Sequence, residues 1–346
     1  MKKILVTGGA GFIGHHFINY ILENTDWEIV SIDRLDFSGN LNRINDIFEN
    51  GNNKELARNR VRVVFHDLRA EINDFIASDL GEFDYIVHMA ASSHVDRSIS
   101  DPMSFVQDNV VATCNILNFA KNIKNLNKFI YFSTDEIFGP APKEIKYKER
   151  DRYNSTNPYS ATKAGGEELA VAFQNTYKMP IIVTHTMNVF GERQHPEKFI
   201  PMTIKNVRDN KKVFIHSNKE KTKAGSRHYI HANDVSSACK FLLTKNYEDL
   251  VKSNYDFGGA ICPKFNIVGA IELDNLQLAQ EIARAQNKEL IYEFVDFHSS
   301  RPGHDLRYAL DGDLMKKLGW EPSQEINKRI QQVVSWSLKN DRWLKY

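Results

Sequence analysis

The stretch Val6-Thr-Gly-Gly-Ala-Gly-Phe-Ile-Gly14 decides the fold. It completes the strand-like run "KKILVTG" and leads into "FIGHHFINYILENT", whose apolar residues recur with a helical period. Strand, glycine turn and helix in that order make a phosphate cradle. Gly8 permits the tight turn, Gly11 lets the backbone approach a pyrophosphate, and Gly14 lets the helix pack closely on the strand. The free N–H groups at the helix start then face the phosphates. The next strand-like run, "EIVSID", ends at Asp33, about 20 residues on, where a carboxylate binds ribose hydroxyls and repels a 2′-phosphate. This favours NAD over NADP, with the adjacent Arg34 as a signal in the other direction.

Working outward, further strands are predicted at "VRVVFHD", "YIVHMAA", "KFIYFST" and "PIIVTHT", with helices between them that include 104–123 and 160–178. Val- and Ile-rich strands with helical crossovers predict an α/β fold, a Rossmann-type doubly wound parallel sheet covered on both faces. The pattern loosens near residue 190. The expected organisation is a dinucleotide-binding domain over 1–190, to which some later segments return, and a smaller C-terminal α/β substrate lobe over 191–346. Two polar stretches are read as surface features: 46–60 as an excursion, and 216–227 as a basic, flexible loop. The end, from "INKRIQQVVSW" onward, reads as an amphipathic helix packed on the body.

The composition is that of an ordinary globular protein, 42% hydrophobic and 26% charged in 346 residues, with net charge +1. That balance offers no general attraction to nucleic acid or to an anionic membrane surface. No apolar run approaches the roughly 20 residues that span a bilayer. Cys114, Cys239 and Cys262 lack metal-ligand spacing and read as reduced, half-buried thiols of a cytoplasmic protein.

Two further motifs carry chemistry. "NPYSATKAG" sets Tyr159 and Lys163 four residues apart, on one face of a helix. There an ammonium can bind the nicotinamide ribose and lower the pKa of the phenol, making it a base for a sugar hydroxyl. "FSTDEIFG" places Asp135 and Glu136 side by side at the end of a strand. Adjacent strand residues point to opposite faces, so both acids reach one substrate only if the backbone leaves strand geometry at or just after Thr134.

With "AASSHVDRSI" (90–99), "HPEKFIP" (195–201) and "RPGHDLRYALD" (301–311), these motifs run nearly end to end. The chain resembles the extended short-chain dehydrogenases/reductases, and among them the nucleotide-sugar 4,6-dehydratases, most of all those acting on dTDP-glucose. The resemblance implies oxidation of the sugar at C4, loss of water across C5–C6, and return of the hydride to C6, with NAD as a retained catalyst. It assigns Tyr159, Lys163 and Thr134 to C4, Asp135 to the C6 hydroxyl as acid, and Glu136 to the C5 proton as base. It lines the cofactor site with Gly8, Gly11, Phe12, Ile13, Gly14, Asp33, Asp67, Leu68, Ala90 and Ala91, together with Tyr159 and Lys163. Asp67 is read equally well as a turn cap. The nucleotide sugar falls to Asn188, Lys198, Arg227, Asn266, Arg301 and His304, while His94 and Asp96 either line the sugar pocket or fix a loop. A homodimer through the 104–123 and 160–178 helices is also implied.

The sequence departs from the usual dTDP-glucose pattern at Ser92 (usually Glu), Glu192 (usually Pro), His185 (usually Arg) and the longer 217–225 loop. These leave open a UDP-, GDP- or CDP-hexose or an N-acetylhexosamine as substrate. Two other classes compete. Epimerases and decarboxylases on this scaffold need no C6 acid, so Asp135 discriminates against them. A non-catalytic nucleotide sensor has no use for the Tyr159/Lys163 pair.

Overall fold

Alternation along the strands sorts their side chains into two apolar layers. In the computed structural model, which describes residues 1–50, 54–255, 262–296 and 306–345, β1 (Lys3–Thr7) sends Ile4 and Val6 to one face and Leu5 to the other. The same division runs through β2 (Glu28–Asp33), β4 (Tyr85–His88), β5 (Lys128–Thr134) and β6 (Ile181–Thr186). Such two-sided burial is what a parallel sheet with helices on both faces requires. Phe17, Ile18 and Ile21 of the Phe12–Asn24 helix cover the first face, with Val235, Cys239 and Leu242 of the Ala232–Thr244 helix. Ile116 and Leu117 of the Ala112–Ala120 helix and Ala170 of the Pro158–Tyr177 helix cover the second.

β3 (Val61–Phe65) lies between β2 and β4 in the chain, and after β6 come four short strands, β7 (Val189–Phe190), β8 (Val213–Ser217), β9 (Ser226–His228) and β10 (Ile230–His231), and then β11 (Lys264–Ile267). Among the described residues the main sheet has seven parallel strands in the order β11-β6-β5-β4-β1-β2-β3. The chain leaves β1 in one direction through β2 and β3, then returns to place β4 on its other side. A crevice opens at that switch point, beyond the C-terminal strand ends. β11, late in sequence, completes the sheet beside β6.

A second core forms from Ile200 and Ile204 (helix Phe199–Arg208), Leu278 and Ile282 (helix Asn275–Ala285) and Ile330 and Val333 (helix Ile326–Lys339). Two-stranded pairs flank it: β8 with β13 (Tyr292–Asp296), β9 with β12 (Glu272–Asp274), and β7 with β10. No described helix is long and apolar enough to cross a membrane, and no described cluster of His, Cys, Asp or Glu is suited to a metal ion.

The structure corrects several expectations. The described parts of the 46–60 excursion, 46–50 and 54–60, belong to two helices, Leu41–Asn50 and Lys54–Arg60, which bury Ile44, Ile47 and Ala57 against the sheet, while 51–53 lie outside the described residues. The ends of the 216–227 loop belong to β8 and β9, and between them Asn218 organises a turn, its Oδ1 accepting the N–H groups of Thr222 and Lys223 at 2.8 Å each. Cys239 and Cys262 are fully buried and only Cys114 is half-buried. The 104–123 helix is composite: Pro102–Val106, a π-turn at Gln107–Val111, then Ala112–Ala120.

Beneath the sheet's C-terminal edge lies a buried ionic network. Glu167 and His185 are fully inaccessible; Glu167 Oε1 accepts from Lys264 Nζ (2.8 Å) and from the Tyr153 hydroxyl, and lies 3.1 Å from His185 Nε2. Burial alone would raise the Glu167 pKa, but His185 and Lys264 outweigh it and hold the carboxyl well below its ordinary range. Removing one partner from a buried pair leaves an uncompensated charge, at a cost of about 3–5 kcal/mol. Lys264→Met is therefore expected to lower the urea midpoint by that equivalent at unchanged m; a loss below about 1 kcal/mol would mean the pair is effectively solvated.

Candidate active site

The glycine loop is built as its spacing predicts. Gly8 has φ +72°, and a Cβ there would sit 2.8 Å from the Ala90 backbone. A Cβ on Gly14 would lie 2.2 Å from Gly8 O, so helix and turn could not close. Asp33 is locked at the end of β2, accepting the N–H groups of Ala10 (3.0 Å) and Leu35 (2.8 Å). Burial raises its pKa, and those two bonds oppose the rise. Gly8, Gly11, Asp33, Asp67, Leu68, Ala90 and Ala91 line one cavity of about 580 Å³. It opens into a second of about 1240 Å³, lined by Gly8, Gly11, Phe12, Ile13, Gly14, Thr134, Asp135, Glu136, Tyr159, Lys163, Asn188 and Lys198. Asp67 is both cavity wall and turn cap, since its Oδ1 accepts from Arg69 N at 3.0 Å.

At the end of β5 the backbone turns. Thr134 is still extended (φ −136°, ψ 154°), but its Oγ1 accepts the Glu136 N–H and starts a 3-10 helix, Asp135–Phe138. A turn of about three residues replaces strand alternation, and both acids line the cleft. Gly139 (φ +73°) ends the turn where a Cβ would meet Asn154 O at 2.3 Å. The two carboxyls have different surroundings. Asp135 is 5% exposed; its Oδ1 accepts from Thr134 Oγ1 at 3.1 Å, while Oδ2 has no hydrogen-bond partner among the described residues. Burial first, then the Glu136 charge, push its pKa up to about 7, against the opposing charge of Arg227. Glu136 is half-buried and accepts from Asn157 Nδ2 at 3.3 Å.

Asn157 also caps the Pro158–Tyr177 helix that carries Tyr159 and Lys163, its side chain accepting the Ser160 N–H at 2.8 Å. The Tyr159 ring packs edge-on against Phe105, and the Thr134 side chain opposes the rise in its pKa. Lys163 Nζ donates to Phe132 O at 2.7 Å and sits over the Tyr131 ring.

One electrostatic expectation is reversed. Lys163 does not acidify Tyr159 in the free protein: burial first, and then Glu136, raise the phenol above its ordinary value. Burial instead depresses the Lys163 ammonium to about 7, with Glu167 opposing. In a site this buried, desolvation of each charged form exceeds the pairwise help.

The substrate residues divide. Asn188 and Lys198 line the cleft. Arg227 does not line it: its guanidinium donates to Ser226 O and Leu306 O and stacks over Tyr308, though its charge acts on Asp135. Asn266 is placed away from the cleft lining. It is fully buried, its amide donates to Tyr147 O and Asp311 O at 3.0 Å each, and its Oδ1 lies 2.9 Å from His185 Nδ1. Strand β11 turns it into the network around His185. Arg301 and His304 lie outside the described residues. His94 caps the Val95–Ser100 helix, and Arg97 of that helix pairs with Glu197 at 2.9 Å. Sequence reasoning missed Asn157, Ser133 and Thr186. The hydroxyls of Ser133 and Thr186 are buried in the cleft wall with no partner among the described residues.

A parallel α/β scaffold with a glycine-turn cradle, and a Tyr/Lys pair facing a strand-end acid pair, defines an extended short-chain dehydrogenase/reductase. Comparison with known proteins narrows this. The sequence model of the family described as GDP-mannose 4,6 dehydratase matches residues 5–333. A dTDP-glucose 4,6-dehydratase of Haemophilus influenzae is 34% identical across 98% of this chain and 99% of its own. The low-salt glycan biosynthesis protein Agl12 of Haloferax volcanii is also 34% identical, over 98% and 99%. Among solved structures, the dTDP-glucose 4,6-dehydratase DesIV of Streptomyces venezuelae, solved with NAD bound, superposes with a TM-score of 0.84 at 29% identity over 99% of each chain. The chain belongs to the nucleotide-sugar 4,6-dehydratase family.

Asn157 has two separable tasks. Asn157→Ala is expected to cost about 1 kcal/mol as a lost cap, read by urea unfolding, whereas Asn157→Ser keeps the cap and regains most of that. Neither replacement can hold Glu136 as the amide does, so stability and activity are expected to part company in the serine variant. Full activity in both would show that Glu136 needs no such support.

Proposed function

We propose that this protein removes water from a nucleoside-diphosphate hexose, with dTDP-glucose the first choice, to give the 4-keto-6-deoxy sugar, using NAD. The observation that carries the reading is the bent end of β5, which presents a carboxyl with a pKa raised to about 7 beside a second, more solvated one.

The residues fit the cofactor: Gly8 and Gly14 leave cradle space that a Cβ would fill, and Asp33 stands at the ribose end of β2. When bound, NAD supplies a hydride acceptor and donor and a positive nicotinamide ring. Tyr159 Oη takes the proton of the C4 hydroxyl, with the Thr134 hydroxyl beside it and Lys163 on the same helix face. Burial keeps the resting phenol protonated, so its ionisation depends on positive charge brought into the cleft. Once C4 is a ketone the C5 proton is acidic, and Glu136 removes it. Asp135 donates its proton to the departing C6 oxygen, since hydroxide is a poor leaving group. Glu136 then returns a proton to C5 as C6 receives the hydride that left C4, leaving one water lost and no net oxidation.

Epimerisation or decarboxylation would leave Asp135 without a task. The choice of base and hexose does not follow from the other departures. His185 sits in the buried Glu167 network, and Glu192 pairs with His231 at 3.3 Å. A homodimer through the 104–123 and 160–178 helices also belongs to this reading; Met103, 63% exposed just before the first of them, and the partly exposed Val110 support it. Light scattering on the purified protein tests it.

The reading is tested by incubating the enzyme with dTDP-, UDP-, GDP- and CDP-glucose and UDP-N-acetylglucosamine, following loss of one water by mass spectrometry. No ketosugar from any of them sinks the dehydratase reading. Asp135→Asn should slow water loss by about 10²–10⁴-fold while reduced nicotinamide absorbance still rises with substrate. Because the acid works in its protonated form, the wild-type elimination rate should fall as pH rises through about 7. Unchanged dehydration in Asp135→Asn would remove Asp135 from the acid role.

A further inference from the structure

Arg34 directly follows Asp33 and lines the cofactor cavity. An arginine at this place is what normally accommodates a 2′-phosphate, and its planar fork suits phosphate oxygens. Here the fork is taken. Its two terminal nitrogens donate to the two oxygens of Asp108, Nη2 to Oδ2 at 2.7 Å, and Nε donates to Asp36 Oδ2 at 2.7 Å. Asp67 Oδ1 stands 3.8 Å from Nη1.

Asp108 is 7% exposed and is itself held in place. It lies in the π-turn Gln107–Val111, where consecutive residues address the loop after β4. Ser92 Oγ donates to Asp108 Oδ2 at 2.6 Å, while Asn109 takes the Ser92 N–H and donates to Ser92 O. Bidentate pairing between an arginine and a carboxylate is strong and directional, more so when one partner is buried. Of the described cavity-lining residues, Arg34 alone carries a fixed positive charge, against the four aspartates 33, 36, 67 and 108.

We propose that Asp108 is a determinant of cofactor choice: by gripping the Arg34 guanidinium it withholds that cation from a 2′-phosphate, so that NAD is taken and NADP refused. Asp33 repels the phosphate directly, and Asp108 removes the countercharge that would offset the repulsion. The inference rests on the reading of this cavity as a dinucleotide site.

The test is a double-mutant cycle on the full chain freed of bound nucleotide, titrating NADH and NADPH by fluorescence and checking each variant by thermal melting. Asp108→Asn should raise NADPH affinity by about tenfold or more, the order expected for removing one partly screened charge beside a phosphate, with NADH affinity little changed. Arg34→Ala alone should leave NADPH binding within about threefold of wild type, yet should abolish the gain in the Asp108→Asn background. A melting-competent Asp108→Asn protein with unchanged NADPH affinity overturns the proposal, as does a gain that survives in the double variant. If Asp108→Asn does not fold, Arg34→Ala still decides. A tenfold loss of NADPH affinity there would show that Arg34 already serves the phosphate. A wild type that binds neither dinucleotide overturns instead the assignment of the cavity itself.

Discussion

The hydrogen bond from the Glu136 N–H to Thr134 Oγ1 is the interaction on which the site depends. A strand continued through 135 and 136 would send one carboxylate into the cleft and the other away from it. Thr134 completes β5 and caps the short 3-10 turn in the same step, and both carboxyls end up on the cleft wall. Gly139 then takes the chain out with φ +73°, where a side chain would strike Asn154 O. One hydroxyl and one glycine thus bring two neighbouring carboxyls to one wall of the cleft.

Unequal burial gives the two carboxyls different character. Asp135 has an oxygen with no partner among the described residues and a proton retained to about pH 7. Glu136 keeps partial exposure and the Asn157 amide. Desolvation governs the neighbours too. It raises the Tyr159 phenol and lowers the Lys163 ammonium, so the free site holds less charge than the residue list suggests. A cleft in that condition is arranged for charge that arrives with its ligands.

The scaffold was largely legible because its signals are local. Gly8, Gly11 and Gly14 fall at a strand–helix junction, and strands buried on both faces read as unbroken apolar runs. The pairing of Tyr159 with Lys163 followed from helical spacing alone. What was illegible depended on contacts distant in sequence. Residues 46–60 look polar, yet Ile47 and Ala57 are covered by the sheet. The 216–227 loop looks flexible, but Asn218 closes it on itself. Asn266 resembles a ligand-facing amide until β11 pairs with β6 and turns it toward His185. The shift of Tyr159 could not be read from its offset to Lys163, because burial decides it and burial is tertiary.

The helix Pro158–Tyr177 ties these levels together. Tyr159, Lys163 and Glu167 recur every four residues along one stripe, all buried. The first lines the cleft, and the second donates to the strand that ends in Thr134. The third is anchored to β6 through His185 and to β11 through Lys264. A buried salt bridge is a poor source of stability compared with apolar packing, so the Glu167 network is better understood by what it fixes. It joins the Pro158–Tyr177 helix to two strands through directional contacts, and a slide of that helix would break them all at once. Apolar packing alone would tolerate a small shift at little cost. Proton transfer would not, because misplacement of about 1 Å between reacting groups can cost on the order of 10²-fold in rate.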